Sequence, residues 1–379
     1  MKVKLKDVIQ LNPRESLSKG HEYRKISMSD LSEFERDIGS YTFEEYKGGT
    51  KFRNMDVLLA RITPCLENGK TALVNILDDN EIAFGSTEYY VLRAIPEKMS
   101  PFFLYYLATS KSFRTMAIKS MTGTSGRQRV QKDAILNFEF DLPNLEDQKD
   151  IYLPLKYIDD KKSINREIND NLVTLSYTIW KEDFKYKLLN KGSRNTSFLD
   201  YGKIISGGTP SKKEKSYYEN GNIPWITPKD LSNNSNIFIS RGQNNITQLG
   251  LKSSSAKLMP DNSILFSSRA PIGYIGITKN PLSTNQGFKS IVPAKKEYLE
   301  FLYFLLLFLK SEIINNANGS TFKEISLSGM KAIKFPNIEQ NKIVLFHEKI
   351  SQILNKIRLN EEENIELGKI KNVLLNKFF

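Results

Sequence analysis

The sequence predicts an α+β fold made twice: two mixed globular domains, separated and joined by two long antiparallel helices packed as a coiled coil, with an internal pseudo-two-fold repeat. Three observations predict it. Matching segments recur in the same order at a separation near half the chain, and each copy closes on a helical apolar stripe of about forty residues. Before each stripe, short strand-like segments alternate with Gly, Asn and Pro turns. The implied division is a first domain over 1–142, its helix over 143–190, a second domain over 191–335 and its helix over 336–379.

Taken in order, Lys2 to Leu11 reads as an entry element closed by Asn12-Pro13. Tyr23 to Leu31 is echoed by Ile223 to Leu231, with Asp30 and Asp230 placed alike. Val57-Leu-Leu-Ala-Arg61 pairs with Ile264-Leu-Phe-Ser-Ser-Arg269, each a short apolar strand that delivers an arginine into a turn. Strands are expected over Ala72 to Leu77, Glu88 to Arg93, Ile275 to Thr278 and Lys289 to Val292, with a tight turn at Glu67-Asn-Gly-Lys70. Phe103-Leu-Tyr-Tyr-Leu107 and Phe301-Leu-Tyr-Phe-Leu305 are nearly one pentapeptide, and Phe301 to Leu309 is too short to span a bilayer, so it reads as a buried helix. Gly192 to Thr196 is the best linker.

The long helices open on Pro143-Asn-Leu-Glu146 and Pro336-Asn-Ile-Glu339. Their stripes run through Ile151, Leu155, Ile158, Ile164, Ile168, Leu172, Leu175 and Ile179, and through Ile343, Phe346, Ile350, Ile353, Ile357, Ile365, Ile370 and Leu374. At roughly 1.5 Å per residue such a helix is on the order of 60 Å long, more than one domain roofs, so the other copy is its natural partner. Breaks near Lys161-Lys162 and Glu361 to Glu363 argue for a packed pair and against a perfect heptad zipper.

Over 379 residues the hydrophobic content of 40% fills two or three cores, and a net charge of +12 favours a polyanionic partner. The lone cysteine, Cys65, excludes an intrachain disulfide framework and a cysteine-based zinc site, and it suits a reducing, cytoplasmic setting. The lysines of Met1 to Asp7 are not followed by an apolar core, so no secretory signal is expected. Asn68-Gly-Lys-Thr71 imitates the end of a phosphate loop, but Pro64 stands where its first glycine belongs, and a turn with an exposed lysine is the better reading. His21 and His347 have no complementary ligands or nucleophile beside them, and Glu146, Asp147 and Asp150 read as acids at the positive end of a helix dipole. Neither a Gly-x-Gly-x-x-Gly motif nor an Asn-Pro-Pro-aromatic methyltransferase loop occurs.

Basic, hydroxyl and amide side chains in Gly-, Ser- and Pro-rich loops are the candidates for touching a nucleic acid. They are Lys51, Arg53, Arg61, Lys70, Arg127 and Arg129 in the first half, and Thr209, Ser211, Lys212, Lys213, Lys229, Arg269, Asn285 and Gln286 in the second. Lysine and arginine neutralise phosphates or grip guanine, whereas Asn and Gln suit adenine. Arg61 and Arg269 could instead anchor turns on carbonyls, and Tyr217, Tyr218 and Trp225 read as loop-packing residues more readily than as base-stacking ones. The basic loop Gly126-Arg-Gln-Arg129 has a counterpart in Gly319-Ser-Thr-Phe-Lys323.

Several motifs together resemble the specificity (S, HsdS) subunit of type I restriction-modification systems over essentially the whole chain. They are Leu58-Leu-Ala-Arg-Ile-Thr-Pro-Cys-Leu-Glu-Asn-Gly-Lys70, Ser206-Gly-Gly-Thr-Pro-Ser211, Gly221-Asn-Ile-Pro-Trp-Ile-Thr-Pro-Lys-Asp-Leu231, Thr284-Asn-Gln-Gly287 and both helix openings. Tyr23 to Leu31 departs from the Pro-Trp-Ile-Thr-Pro form. The resemblance implies two target-recognition domains, each reading one part of a split double-stranded DNA site, held apart by antiparallel helices that dock two modification (methyltransferase) subunits. It implies a non-catalytic chain without cofactor: the partners would bind S-adenosylmethionine and methylate adenine, and a restriction subunit using ATP and Mg would join indirectly. A stand-alone DNA-binding or scaffold protein would share the charge and the helices.

Overall fold

Alternation of buried side chains sets the layers. In the computed structural model, which describes every residue except 191, 193, 233 and 320–322, the strand Val57–Ala60 is buried on both faces. Val57 and Leu59 face one core with Tyr90 and Leu92, while Leu58 faces another with Tyr89 and Val91. A strand with period two that is apolar on both sides must lie between two layers. One layer is the helix Pro101–Thr109, whose Pro101 costs nothing because the first helical position has no hydrogen bond to lose. The other is a second sheet carrying Ile26, Phe52 and Ala83.

The chain divides into two compact units, Met1–Asn165 with Glu363–Phe379, and Arg166–Glu362. The first holds a four-stranded antiparallel sheet in the order Ile9–Leu11, Tyr89–Ala94, Val57–Ala60, Thr71–Leu73. The second holds Gly202–Ser206, Lys289–Pro293, Ile264–Ser268, Ile272–Thr278 in the same order, with Phe238–Ile239 added at the edge. The smaller sheets also correspond. Glu22–Ile26 runs antiparallel to Thr42–Glu45 and parallel to Ala83–Gly85, as Ile223–Ile226 does to Asn244–Ile246 and Ser283–Thr284. After each central strand of these small sheets an aspartate closes the turn. Asp30 accepts the Ser27 amide at 2.6 Å, and Asp230 accepts the Thr227 amide at 2.7 Å. The repeat read from the sequence is therefore a repeat of topology and of turn chemistry.

Leu299–Asn315 is the buried aromatic helix of the second unit, packed on Ile264 and Phe266. It is bordered by Trp180, whose Nε1 donates to the Phe301 carbonyl at 3.2 Å. Among the described residues no helix is long and apolar enough to cross a membrane.

The long helices are Leu145–Trp180, which continues through a π turn over Lys181–Lys185, and Gln340–Phe378. Compactness cuts both of them, because each helix buries its two ends in different cores. Leu155 belongs to the first-unit core, with Ile151 and Leu374 against it. Ile343, Phe346, Ile350 and Ile357 belong to the second-unit core, with Leu172 and Ile179 against it, and Ile158 is buried as well. Five positions of the expected stripes are corrected: Ile164, Ile168, Leu175, Ile365 and Ile370 are exposed. Where the helix segments touch, polar side chains occupy the seam. In the first unit Lys371 Nζ donates to both oxygens of Asp159 at 2.7 and 2.8 Å, and Asn165 Nδ2 donates to Glu363 and Asn364 at 2.8 and 2.9 Å. In the second unit Asn360 donates to Asn169 at 2.8 Å. Within each unit these partners run antiparallel. Amides and an ion pair in the seam displace the apolar residues to a neighbouring face, because a buried polar group must keep its partner.

Candidate nucleic-acid interface

In the second unit the strand Gly202–Ser206 runs into a loop fixed from beneath. A Cβ on Gly207 would lie 2.0 Å from the Asn285 carbonyl oxygen, and one on Gly208 would lie 2.3 Å from the Ala256 nitrogen, so only glycine lets the loop lie this close. Trp225 Nε1 donates to the Gly208 carbonyl at 2.9 Å, and the Tyr218 hydroxyl donates to the Pro210 carbonyl at 2.6 Å. Both rings thus pack the loop. Beyond it Ser211, Lys212 and Lys213 stand exposed.

The second strand of the site ends in Asn285-Gln-Gly287. Asn285 Oδ1 accepts the Gly287 amide at 2.9 Å, and Gln286 Oε1 accepts the Thr209 hydroxyl. A Cβ on Gly287 would sit 3.1 Å from Pro228 and 3.5 Å from Arg269 Nε, which places Arg269 against this turn. Thr209, Arg269, Asn285 and Gln286 therefore adjoin one turn, and Lys229, which follows Pro228 in the sequence, is exposed. Arg269 Nη1 reaches Glu324 at 3.5 Å, and Lys289 reaches the same carboxylate at 3.6 Å. Burial lowers the Lys289 pKa, and Glu324 opposes that shift.

The first unit uses its basic residues differently. Arg61 Nε meets Glu88 at 3.1 Å and Arg129 Nη2 meets it at 2.6 Å. Hydrogen bonds from Arg129, and then Arg61, hold the Glu88 carboxyl below the usual carboxylate range against some burial. Arg61 thus anchors on a carboxylate and not on carbonyls, with Tyr90 under its guanidinium at 5.4 Å. Arg127 is exposed directly after Gly126, in a loop whose Gly123 and Gly126 have φ values of 129° and 78° that require glycine. Lys51 is half-buried, 5.8 Å from the Tyr46 ring centroid.

Two candidates are engaged in holding the fold. Arg53 is bound in two-point fashion by Glu15 at 2.7 and 2.8 Å, beside Arg93, which also takes Asp56. Lys70 Nζ donates to the Met28 carbonyl at 2.7 Å. Glu88, Glu324 and Glu15 escaped the sequence reading. Glu88 follows Ser86-Thr87 as Asn285-Gln286 follow Ser283-Thr284, a match that singles out this position. Nothing local marks Glu15 or Glu324. Residues 320–322 of the second basic loop lie outside the described residues, as does residue 193 of the linker.

The arrangement can bind and orient a polyanion. Among the described residues no group of three or more His, Cys, Asp or Glu is placed to hold a metal ion. His347 pairs with Glu300 at 2.8 Å.

Comparison with known proteins supplies the family. Residues 1–173 and 194–369 each match the family described as type I restriction modification DNA specificity domain. The specificity subunit of the type I restriction enzyme MjaIX of Methanocaldococcus jannaschii is 41% identical over 203 residues, 51% of this chain and 47% of that protein. The chain thus matches about half the length of that relative. The HindI specificity subunit of Haemophilus influenzae is 24% identical over 84% of each chain. The crystal structure of a type I restriction-modification S subunit from M. genitalium superposes with a TM-score of 0.54 at 17% identity, covering 100% of this chain and 96% of that one, a likeness of fold.

Proposed function

The chain belongs to the type I restriction-modification DNA specificity family, and from that premise we propose that it is the DNA-reading subunit of a type I restriction-modification complex. Each globular domain reads one part of a bipartite double-stranded site. The carrying observation is one topology used twice with unlike loops: Lys212, Lys213 and the Asn285-Gln286 turn in one copy, Arg61, Arg127 and Arg129 in the other. Repeated scaffolds with different reading chemistry suit two unrelated half-sequences.

The same reading assigns the long helices two tasks, setting the spacing between the half-sites as an antiparallel coiled coil and docking two modification subunits. Exposed apolar side chains support the docking. Tyr157, Ile164, Ile365 and Ile370 lie on the helix segments of the first unit, and Ile168, Leu175, Leu345 and Leu359 on those of the second. Such residues on a water-facing helix are candidates for cover by another chain. S-adenosylmethionine, ATP and Mg belong to partner subunits in this reading, this chain is non-catalytic, and the complex works in the cytoplasm.

Reconstitution tests it. The purified chain should transfer no methyl group, and site-specific adenine methylation should appear when the modification subunit is added. Methyl transfer by the chain alone, or tight sequence-specific binding that the modification subunit neither needs nor alters, would favour a stand-alone DNA-binding protein.

A further inference from the structure

In the small sheet of the second unit, Ile223–Ile226 lies between Asn244–Ile246, antiparallel to it, and Ser283–Thr284, parallel to it. Three connections therefore meet at one end of that sheet: the turn Thr227 to Asp230, the Asn285-Gln-Gly287 turn, and Arg241-Gly-Gln243, the entry to the outer strand. Hydrogen bonds join all three. The Asn285 amide donates to the Ile226 carbonyl at 2.9 Å, just before the middle turn, and the Gln243 amide donates to Asp230 Oδ1 at 2.8 Å. Asp230 Oδ2 meanwhile holds the Thr227 amide at 2.7 Å and its hydroxyl at 2.6 Å, so one carboxylate ties the middle turn to the outer entry.

The first unit repeats this tie. Asp30 Oδ1 accepts the Ser40 hydroxyl at 2.7 Å and the Asp30 carbonyl accepts the Gly39 amide at 3.0 Å, just before the outer strand Thr42–Glu45 begins. At this place the first copy displays Ser40 and Tyr41, and the second displays Arg241 and Gln243. A scaffold that is kept while its displayed residues change suits an element that reads different bases. In the second copy the backbone is pinned closely. A Cβ on Gly242 would lie 2.7 Å from Asp230 Cγ and 2.9 Å from both of its oxygens, so only glycine lets the chain rest on this carboxylate. Arg241 and Gln243 on either side of it are exposed, and among the described residues their side chains have no hydrogen-bond or ion-pair partner. The outer strands of a three-stranded sheet stand about 10 Å apart. The end that carries these loops is thus matched to the roughly 12 Å width of a duplex major groove.

We propose that Arg241 and Gln243 determine specificity by contacting base edges in the half-site read by the second copy, an inference that rests on the DNA-reading function proposed above. Gln243 offers one donor and one acceptor, the pair that matches N7 and N6 of adenine. Arg241 offers paired donors that match O6 and N7 of guanine. Because Asp230 holds their backbone in place before DNA arrives, less freedom is lost on binding than from an untethered loop.

The test uses the full chain assembled with its modification subunit. The wild-type target is mapped from methylated adenines, and binding is measured to that target and to each of its single-base-pair variants. Gln243→Ala should lose discrimination at one A·T pair by at least about fivefold, and Arg241→Ala should do the same at one G·C pair. Both pairs should fall in the same half-site, with the other half read as before and thermal unfolding unchanged. If Arg241→Ala instead weakens binding to all sequences alike and reduces the slope of log affinity against log salt by about 0.9, Arg241 holds a phosphate and the base-reading assignment falls. If neither variant changes base preference at any position, the loop is only a solvated connection and the inference is wrong. Both of these failures leave a wild-type complex that methylates a bipartite site, whereas a wild-type complex that methylates no such site would overturn the DNA-reading function itself and this inference with it.

Discussion

Lys212 and Lys213 are exposed and, among the described residues, have no ion-pair partner, whereas Arg53 is gripped by Glu15. Substitution of each should therefore act on a different quantity. Replacing both lysines by alanine should leave stability within about 0.5 kcal/mol, as surface changes do. It should reduce the slope of log affinity against log salt by about 1.8, the release of two phosphate-bound counterions. Arg53→Ala should leave that slope alone and lower stability. Filter-binding titrations across salt, beside urea unfolding, read both. No sequence pattern separates these residues, because all are basic side chains in polar loops. What divides them is a carboxylate brought in by the fold: Glu15 is 38 positions from Arg53, and Glu88 is 41 from Arg129.

Glu361 is a second residue whose behaviour is set by burial. It accepts the amides of Ile237 and Phe238 at 2.6 and 3.0 Å, and burial pushes its carboxyl up from 4.5 to about 7 against those bonds. Because the folded value lies above the unfolded one, the protonated form is favoured by folding. That contribution is complete below pH 4.5 and is lost as pH rises through about 7. Relative to Glu361→Gln, the wild type should lose on the order of 3 kcal/mol between those limits. Parallel stability curves for the two proteins across that window, measured by urea unfolding, would show that Glu361 is not the titrating group.

At the scale of the element, apolar periodicity located both long helices to within a few residues and misjudged what covers part of their stripes. Spacing shows that Ile164, Ile168 and Leu175 share a face, but nothing in a sequence says whether that face meets protein or water. The helix carries a second set at helical spacing, Asp159, Lys162, Asn165, Asn169 and Ser176, and this polar set is the buried one. It reads as a solvated face unless its partners, Lys371, Asn360 and Asn364, are recognised far along the chain. The Asp159–Lys371 pair also takes the Tyr106 hydroxyl at 2.9 Å, and burial lowers the Lys371 pKa against the pull of Asp159. Lys371→Met should cost about 3–5 kcal/mol by leaving Asp159 buried without its cation. Adding Asp159→Asn should recover most of it. A single-variant loss below about 1 kcal/mol would mean that water reaches the seam and that the pair specifies little.

At the scale of the molecule, the duplication was the most legible feature, because five short matches in one order record a repeat even where the loops have diverged. The strand order Ile9–Leu11, Tyr89–Ala94, Val57–Ala60, Thr71–Leu73 and its counterpart in the second unit follow from that repeat. Less legible was how compactness divides the chain. The long helices were read as segments of their own, 143–190 and 336–379, yet each is split between two cores, since helix packing depends on residues more than a hundred positions away. The central claim is that each copy reads its own half of one DNA site, and it is tested most directly by exchange. Residues 1–142 are replaced by the corresponding segment of a homologue with a different target, the chain is assembled with the same modification subunit, and methylated adenines are mapped. One half-sequence should change to the homologue's, with the other half and the spacer between them retained. Both halves changing together, or neither changing while methylation persists, would contradict the claim.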